Sequence, residues 1–170
     1  MREGKVFNVG DKVIHPAYGA GTIVDIDEKQ MEQKLCNYYI IQLLGQAGTL
    51  MVPVARADQL GLRLPVEEPQ EVMEVLTSEP TVLSSDHRKR QESINVDIRS
   101  GDVVRISEAV RDLAHRDREN NLTEADLKLY RKAQDFLAGE LALSQDIKVE
   151  QALKQMRTVL ESIDEEQESE

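Results

Sequence analysis

The chain has no tryptophan, only two phenylalanines and a single cysteine, Cys36, in 170 residues. Large aromatics cannot dominate its interior, so any core must be assembled from Leu, Val, Ile, Ala, Met and Tyr. One thiol excludes an internal disulfide framework and cannot supply the sulfur ligands of a zinc cluster. No stretch approaches the roughly 18 consecutive apolar residues of a membrane span, and the opening MREGKVFNVGD lacks the apolar segment of a signal peptide. A cytoplasmic protein without a membrane partner is expected.

The usual catalytic constellations are missing too. His15, His87 and His115 lie far apart in the sequence, and no Gly-Lys-Ser/Thr phosphate loop is present. His15 precedes Pro16 at a strand end, where a turn or packing role fits better than chemistry. Cys36 reads as a small core or boundary residue. Carboxylates are abundant but alternate with Lys and Arg, and no acid/base pair stands out among them. No enzymatic activity, cofactor or metal is expected.

Positive charge is scarce overall: the net charge is −11. A uniformly acidic surface is repelled by duplex DNA, which argues against a nonspecific, histone-like coat. The excess is uneven. Residues 1–60 carry six Lys/Arg and seven Asp/Glu, whereas Glu67, Glu68, Glu71, Glu74 and Glu79 form one acidic run and residues 164–170 another. That last stretch has no apolar residue to bury, so an unstructured tail is expected there.

What is present organises itself into two parts. From Val9 to Ile26, VGDKVIHPAYGAGTIVDI alternates short apolar runs with turn residues. Gly10-Asp11 marks one turn and Gly19 with Gly21 brackets another; a charged hairpin region from Asp27 to Lys34 leads to strands at Tyr38–Leu44 and Leu50–Val54. Four or five short strands in about sixty residues cannot bury both faces of a flat sheet, so curling into a small barrel is the economical solution. The glycines serve positive-φ turns whatever such a barrel binds.

Strand signals stop near Leu64, and Pro65, Glu67, Glu68 and Pro69 form a wet, stiff exit. Helical periodicity follows: a short helix around Val72, Val75 and Leu76, a second over Ser85–Arg99, and a third capped by Asp102. Thr123 and Asp126 form a capping-box signature before a long, widely apolar helix, and a last helix starts near Ile147. The expected fold is α+β: a barrel domain over 1–65, an all-helical domain over 66–163 and an acidic tail over 164–170. No helix carries continuous heptads, so a monomer is expected.

Two basic clusters interrupt the acidic half. His87, Arg88, Lys89 and Arg90 open the second helix, with Arg99 near its end; Arg111, Arg116 and Arg118 lie along the third. Such clusters are often ordinary solvated faces, but their placement also suits a phosphate-contacting patch, and the helix start could offer backbone amides to a phosphate.

Phe7–Ile26, the strand Leu50, Met51, Val52, Pro53, Val54 and the exit Gly61, Leu62, Arg63 resemble the CarD/CdnL family of bacterial transcription regulators. Ser100, Gly101, Asp102, the segment EAVRDL from Glu108 to Leu113, Arg116, Asp117 and the segment FLAGELA from Phe136 to Ala142 follow the same family's C-terminal pattern in order. The resemblance implies a Tudor-like (SH3-like) N-terminal barrel that docks on the RNA polymerase β subunit, and a helical domain that contacts promoter DNA at the upstream edge of the melted region and stabilises the open complex. On it, Leu50, Met51, Val52 and Pro53 would engage polymerase. His87, Arg88, Lys89, Arg90 and Arg99 would contact DNA nonspecifically, and weakly without polymerase, placing the protein at the nucleoid through polymerase. Met51 stands where some members carry arginine, and a pure barrel-core role for it is equally open. Members commonly place a Trp wedge where His87 stands here, so weaker DNA engagement is implied. A related barrel occurs in transcription-repair coupling factors, but the motor's phosphate loop is missing here. The alternative is a polymerase-binding adaptor that makes no direct DNA contact.

Overall fold

Four antiparallel strands follow one another along the first unit, Met1–Pro65: β1 (Lys12–His15), β2 (Gly19–Met31), β3 (Lys34–Leu43) and β4 (Thr49–Pro53), paired in chain order. The computed structural model describes residues 4–119 and 121–167, the last four as backbone only. A 3-10 turn, Val54–Arg56, follows β4. The chain then returns to β1, where Ile14 N donates to Arg63 O at 2.7 Å and Arg63 N to Ile14 O at 3.1 Å. That exchange, with a bulge at Val24 between the pairs Ile23↔Ile41 and Asp25↔Ile40, curls the meander into a small Tudor-like barrel. Its interior holds Phe7, Val13, Ile23, Tyr39, Ile41, Leu43, Val52, Ala57 and Leu62.

With so few aromatics, the pair in the barrel core is used twice. The Phe7 and Tyr39 rings meet edge to face with centroids 5.8 Å apart, and the Tyr39 hydroxyl accepts a bond from Phe7 N at 3.0 Å. One pair thus fills the core and anchors the N-terminal segment across it.

Two sequence readings of this unit change. The turn before β2 is Pro16–Tyr18, and Gly21 lies within the strand. A Cβ there would stand 2.6 Å from Ile41 Cγ2 and 2.8 Å from the Gln42 carbonyl, so close approach of β3, not a turn, requires this glycine. The charged stretch 27–34 is regular ladder out to Met31↔Lys34, closed by Glu32 and Gln33 at φ 45° and 70°. Because β4 pairs only with Tyr38–Gln42, the outer part of this ribbon has water on both faces and tolerates charge at every position.

The second unit, Val66–Glu170, is helical: α1 (Pro69–Thr77), α2 (His87–Ser100), α3 (Val103–Arg118), α4 (Glu124–Gln145) and α5 (Val149–Gln167). The boundaries follow local chemistry. Asp86, Asp102 and Thr123 cap α2, α3 and α4 through their side-chain oxygens, and Gly101 ends α2 at φ 68°. Thr123 and Asp126 form a full capping box, with Asp126 N donating to Thr123 Oγ1 and Thr123 N to Asp126 Oδ2. α4 packs against all four other helices. Leu76, Ile94, Ile98, Leu113, Leu137, Leu141 and Met156 form the centre of the core. The backbone of α5 continues helical to Gln167; residues 168–170 of the acidic tail lie outside the described residues.

The chain enters this unit at a fixed point. Val66 N donates to Glu140 Oε1 at 2.8 Å, and Ser144 Oγ donates to Val66 O, so both main-chain groups of Val66 are held by α4. Glu140 is itself buried.

Candidate functional site

In the barrel, β4 pairs with β3 alone, so its other edge carries no strand among the described residues. Strand alternation divides the four residues singled out there. Val52 is 1% exposed and belongs to the core, so only its main chain is available to a partner. Met51 is 38% exposed on the opposite face, directly across from Ile40, with Lys29 Nζ 3.5 Å from its sulfur. Leu50 and Pro53 are half-buried. The edge thus offers a row of main-chain groups and one apolar side chain backed by a cation.

In the helical unit, Asp86 organises the start of α2. Its Oδ1 accepts from Arg88 N at 2.9 Å and Lys89 N at 3.2 Å. The helix-start amides that the sequence offered to a phosphate are therefore already occupied by a carboxylate. His87, Arg88 and Lys89 project outward, exposed and without an ion-pair partner among the described residues. Arg99 is exposed as well. Eleven residues separate Arg88 from Arg99, which returns them to one stripe about 16 Å apart. The exposed Glu92 lies between them.

Arg90 does not belong to this face. It is 2% exposed, and its guanidinium grips Asp126 with two bonds: Nε to Oδ1 at 3.2 Å and Nη2 to Oδ2 at 2.8 Å. Nη1 donates to Ser84 O at 2.7 Å and Ser85 O at 3.3 Å. Gln91 Nε2 adds bonds to Thr123 Oγ1 and Asp126 Oδ1. Burial pushes the Asp126 carboxyl up, but Arg90, Thr123 and Gln91 outweigh it and hold it at about 2. One signal for this was in the sequence: Arg90 shares the four-residue stripe of Ile94 and Ile98, which is the buried face of α2. Its partner, 36 residues away, left no local trace.

The second basic cluster is also taken into the fold. Arg111 is buried, donating from Nε to Asp112 Oδ1 at 2.8 Å, from Nη1 to Ser78 Oγ at 2.7 Å and from Nη2 to Thr81 Oγ1 at 3.3 Å. Arg116 Nε donates to Asn121 O at 3.0 Å, and Arg118 donates to Leu160 O. A cluster that looks cationic in sequence thus ties loops and helix ends together.

The remaining candidates are structural. His15 Nδ1 accepts from Ala17 N at 3.0 Å, which makes it part of the turn after β1; burial lowers its pKa. Cys36 is partly exposed on the ribbon opposite Lys29. Among the described residues no group of three or more His, Cys, Asp or Glu could hold a metal, and no helix is long and apolar enough to cross a membrane.

Comparison with known proteins matches each unit separately. A family model for the CarD-like/TRCF RID domain matches residues 7–66, and one for the CarD C-terminal domain matches residues 71–157. The chain is also similar to YdeB of Bacillus subtilis (strain 168), a candidate transcription factor by its name. The two are 28% identical over 151 residues, covering 84% of this chain and 94% of YdeB.

Proposed function

This chain belongs to the CarD family of non-catalytic transcription regulators associated with RNA polymerase, and on that premise we propose that it docks through β4 on the polymerase β subunit and stabilises the open promoter complex by nonspecific DNA contacts from α2. The observation that carries the DNA half is the exposed pair Arg88 and Lys89, without an ion-pair partner among the described residues, with Arg99 on the same stripe, in a strongly acidic chain. Cations of this kind attract phosphates without reading sequence. The docking half rests on the edge of β4 that carries no strand among the described residues and on outward-facing Met51, a geometry suited to main-chain pairing with a partner strand.

The mechanism is noncovalent. Anchoring on polymerase raises the local concentration of the α2 face at one DNA position, which lets a weak contact count. If that contact is stronger in the melted than in the closed complex, the population shifts toward the melted one. His87 occupies the position at which a larger aromatic would wedge into a minor groove, and it offers less area to hold an unstacked step. Replacing Arg88 and Lys89 together with Ala should leave polymerase binding intact, shorten the open-complex lifetime and lower the salt slope of the DNA contribution by about 2. Loss of polymerase binding instead would assign the patch to the wrong partner. His87→Trp should lengthen the open-complex lifetime; an unchanged or shorter one would remove the wedge argument.

A second reading, a polymerase-binding adaptor without DNA contact, draws support from the burial of Arg90 and Arg111, which leaves the basic face smaller than the sequence suggested. It predicts an unchanged promoter footprint and no salt-dependent DNA contribution.

A further inference from the structure

Between α1 and α2, residues 78–86 form no regular element, yet they are held by buried charges at both ends. At the start, Arg111 reaches Ser78 Oγ and Thr81 Oγ1, and the Asp112 carboxylate accepts from Thr81 N at 2.9 Å. At the end, Arg90 holds the Ser84 and Ser85 carbonyls while gripping Asp126 at the first turn of α4, and Asp86 N donates to Ser84 Oγ at 3.2 Å. Leu83 packs against the core, whereas its neighbour Val82 is left 92% exposed.

Buried ion pairs are a poor source of net stability, because desolvating both charges offsets most of their attraction, and apolar side chains of similar size often do as well or better. What a two-pronged guanidinium–carboxylate bond supplies is direction. Arg90 takes this loop's last carbonyls, its own helix and the N-terminus of α4 into one fixed arrangement, directly beneath exposed His87, Arg88 and Lys89. We infer that Arg90 and Asp126 are positioning residues: their pairing prearranges loop 78–86 and the first turn of α2 as one rigid contact face, so that binding DNA there does not first require ordering it. The inference rests on the DNA-contacting reading of α2. It gives Arg90 a role without DNA contact, in place of the phosphate contact suggested by its neighbours in sequence.

The test separates geometry from stability, using the full chain with polymerase and a promoter. Arg90→Met combined with Asp126→Leu removes the directional bond, and with it the Asp126 half of the α4 capping box, while keeping the interior filled; Asp126→Leu alone, run beside it, measures the cost of losing that cap with Arg90 still in place. The expected result is a cooperative thermal transition above assay temperature and unchanged polymerase affinity, with an open-complex lifetime shortened about 3- to 10-fold. A wild-type lifetime in that variant would overturn the inference. Arg90→Lys, which keeps the charge but loses the fork, supplies a second readout should the double variant fold poorly. Amide exchange should accelerate at residues 84–89 while the centre of α4 stays protected, and unchanged exchange at 84–89 would equally overturn it. Arg88→Ala with Lys89→Ala, run alongside, tells the two levels apart. If it shortens the lifetime but the Met/Leu variant does not, positioning fails and the DNA reading stands. If it has no effect, the DNA reading fails and takes the functional part of this inference with it.

Discussion

The barrel and the helical unit solve the same problem, fixing irregular chain in place, with different chemistry. In the barrel, main-chain pairing and apolar packing do the work: Ile14 and Arg63 exchange backbone bonds, Gly21 admits β3 closely, and among the described residues of this unit His15 and the Tyr39 phenol are the buried ionisable side chains, with no Lys, Arg, Asp or Glu buried beside them. The helical unit instead buries Arg90, Arg111, Asp112, Asp126 and Glu140, each bonded to a loop, a helix end or another charge. A sheet supplies donors and acceptors along its whole length. Helices consume theirs internally, so connections between them must be tied down by side chains.

The sharpest way to break this contrast is to remove one charge and leave its partner. Arg90→Ala strands the Asp126 carboxylate in the interior and should cost the helical unit about 3–5 kcal/mol. Denaturant unfolding followed by amide exchange should place the loss in residues 66–163 and leave the barrel's protection unchanged. A loss below about 1 kcal/mol would mean that Asp126 finds water or another donor readily, and that the pair is less committed than its geometry implies.

Acid should separate the units next. The Asp126 carboxyl is depressed from 3.8 to about 2 in the folded chain, so its contribution is present above pH 4 and is lost as pH falls through about 2. At about 1.4 kcal/mol per unit, that is about 2 kcal/mol of the helical unit's stability. Asp126→Asn should remove this segment of the pH–stability curve; if the curve keeps it, another carboxylate is responsible.

A smaller effect is expected in the barrel. Tyr39→Phe keeps the ring contact with Phe7 but deprives Phe7 N of its acceptor, at about 1–2 kcal/mol. Urea titration would read it, and a neutral result would show that water replaces the hydroxyl. The smallest effect belongs to His15, whose pKa is lowered by burial. The unfolded chain takes up that proton first, so barrel stability is full above about pH 6.5 and declines as pH falls below it. His15→Gln should flatten this decline, and a decline that persists unchanged would assign it to another group.

The same contrast governs how much was legible in the sequence. Signals that act within a few residues are readable: Thr123 with Asp126 as a capping box, Asp102 as a cap, and the turn-rich pattern of the barrel. Alternation predicted that Val52 and Met51 face opposite ways but not which faced in; that depends on the curl of the sheet. The division of His87, Arg88, Lys89 and Arg90 into three outward residues and one inward follows helical phase, which a contiguous run of charge hides. Asp126 was recognised for its capping bond only, since nothing in a linear sequence announces a partner 36 residues away.

The clasp on Val66 has a mechanical consequence. Whenever the chain is pulled between its two units, tension along it arrives at Val66 before it reaches α1. There it is shared between Glu140 and Ser144, in the C-terminal half of 22-residue α4. The load falls first on two side-chain bonds anchored in α4, before nine-residue α1, which starts at Pro69, has to carry any of it. The joint is thus a strain relief, of the kind that lets a cable be tugged without straining its terminals.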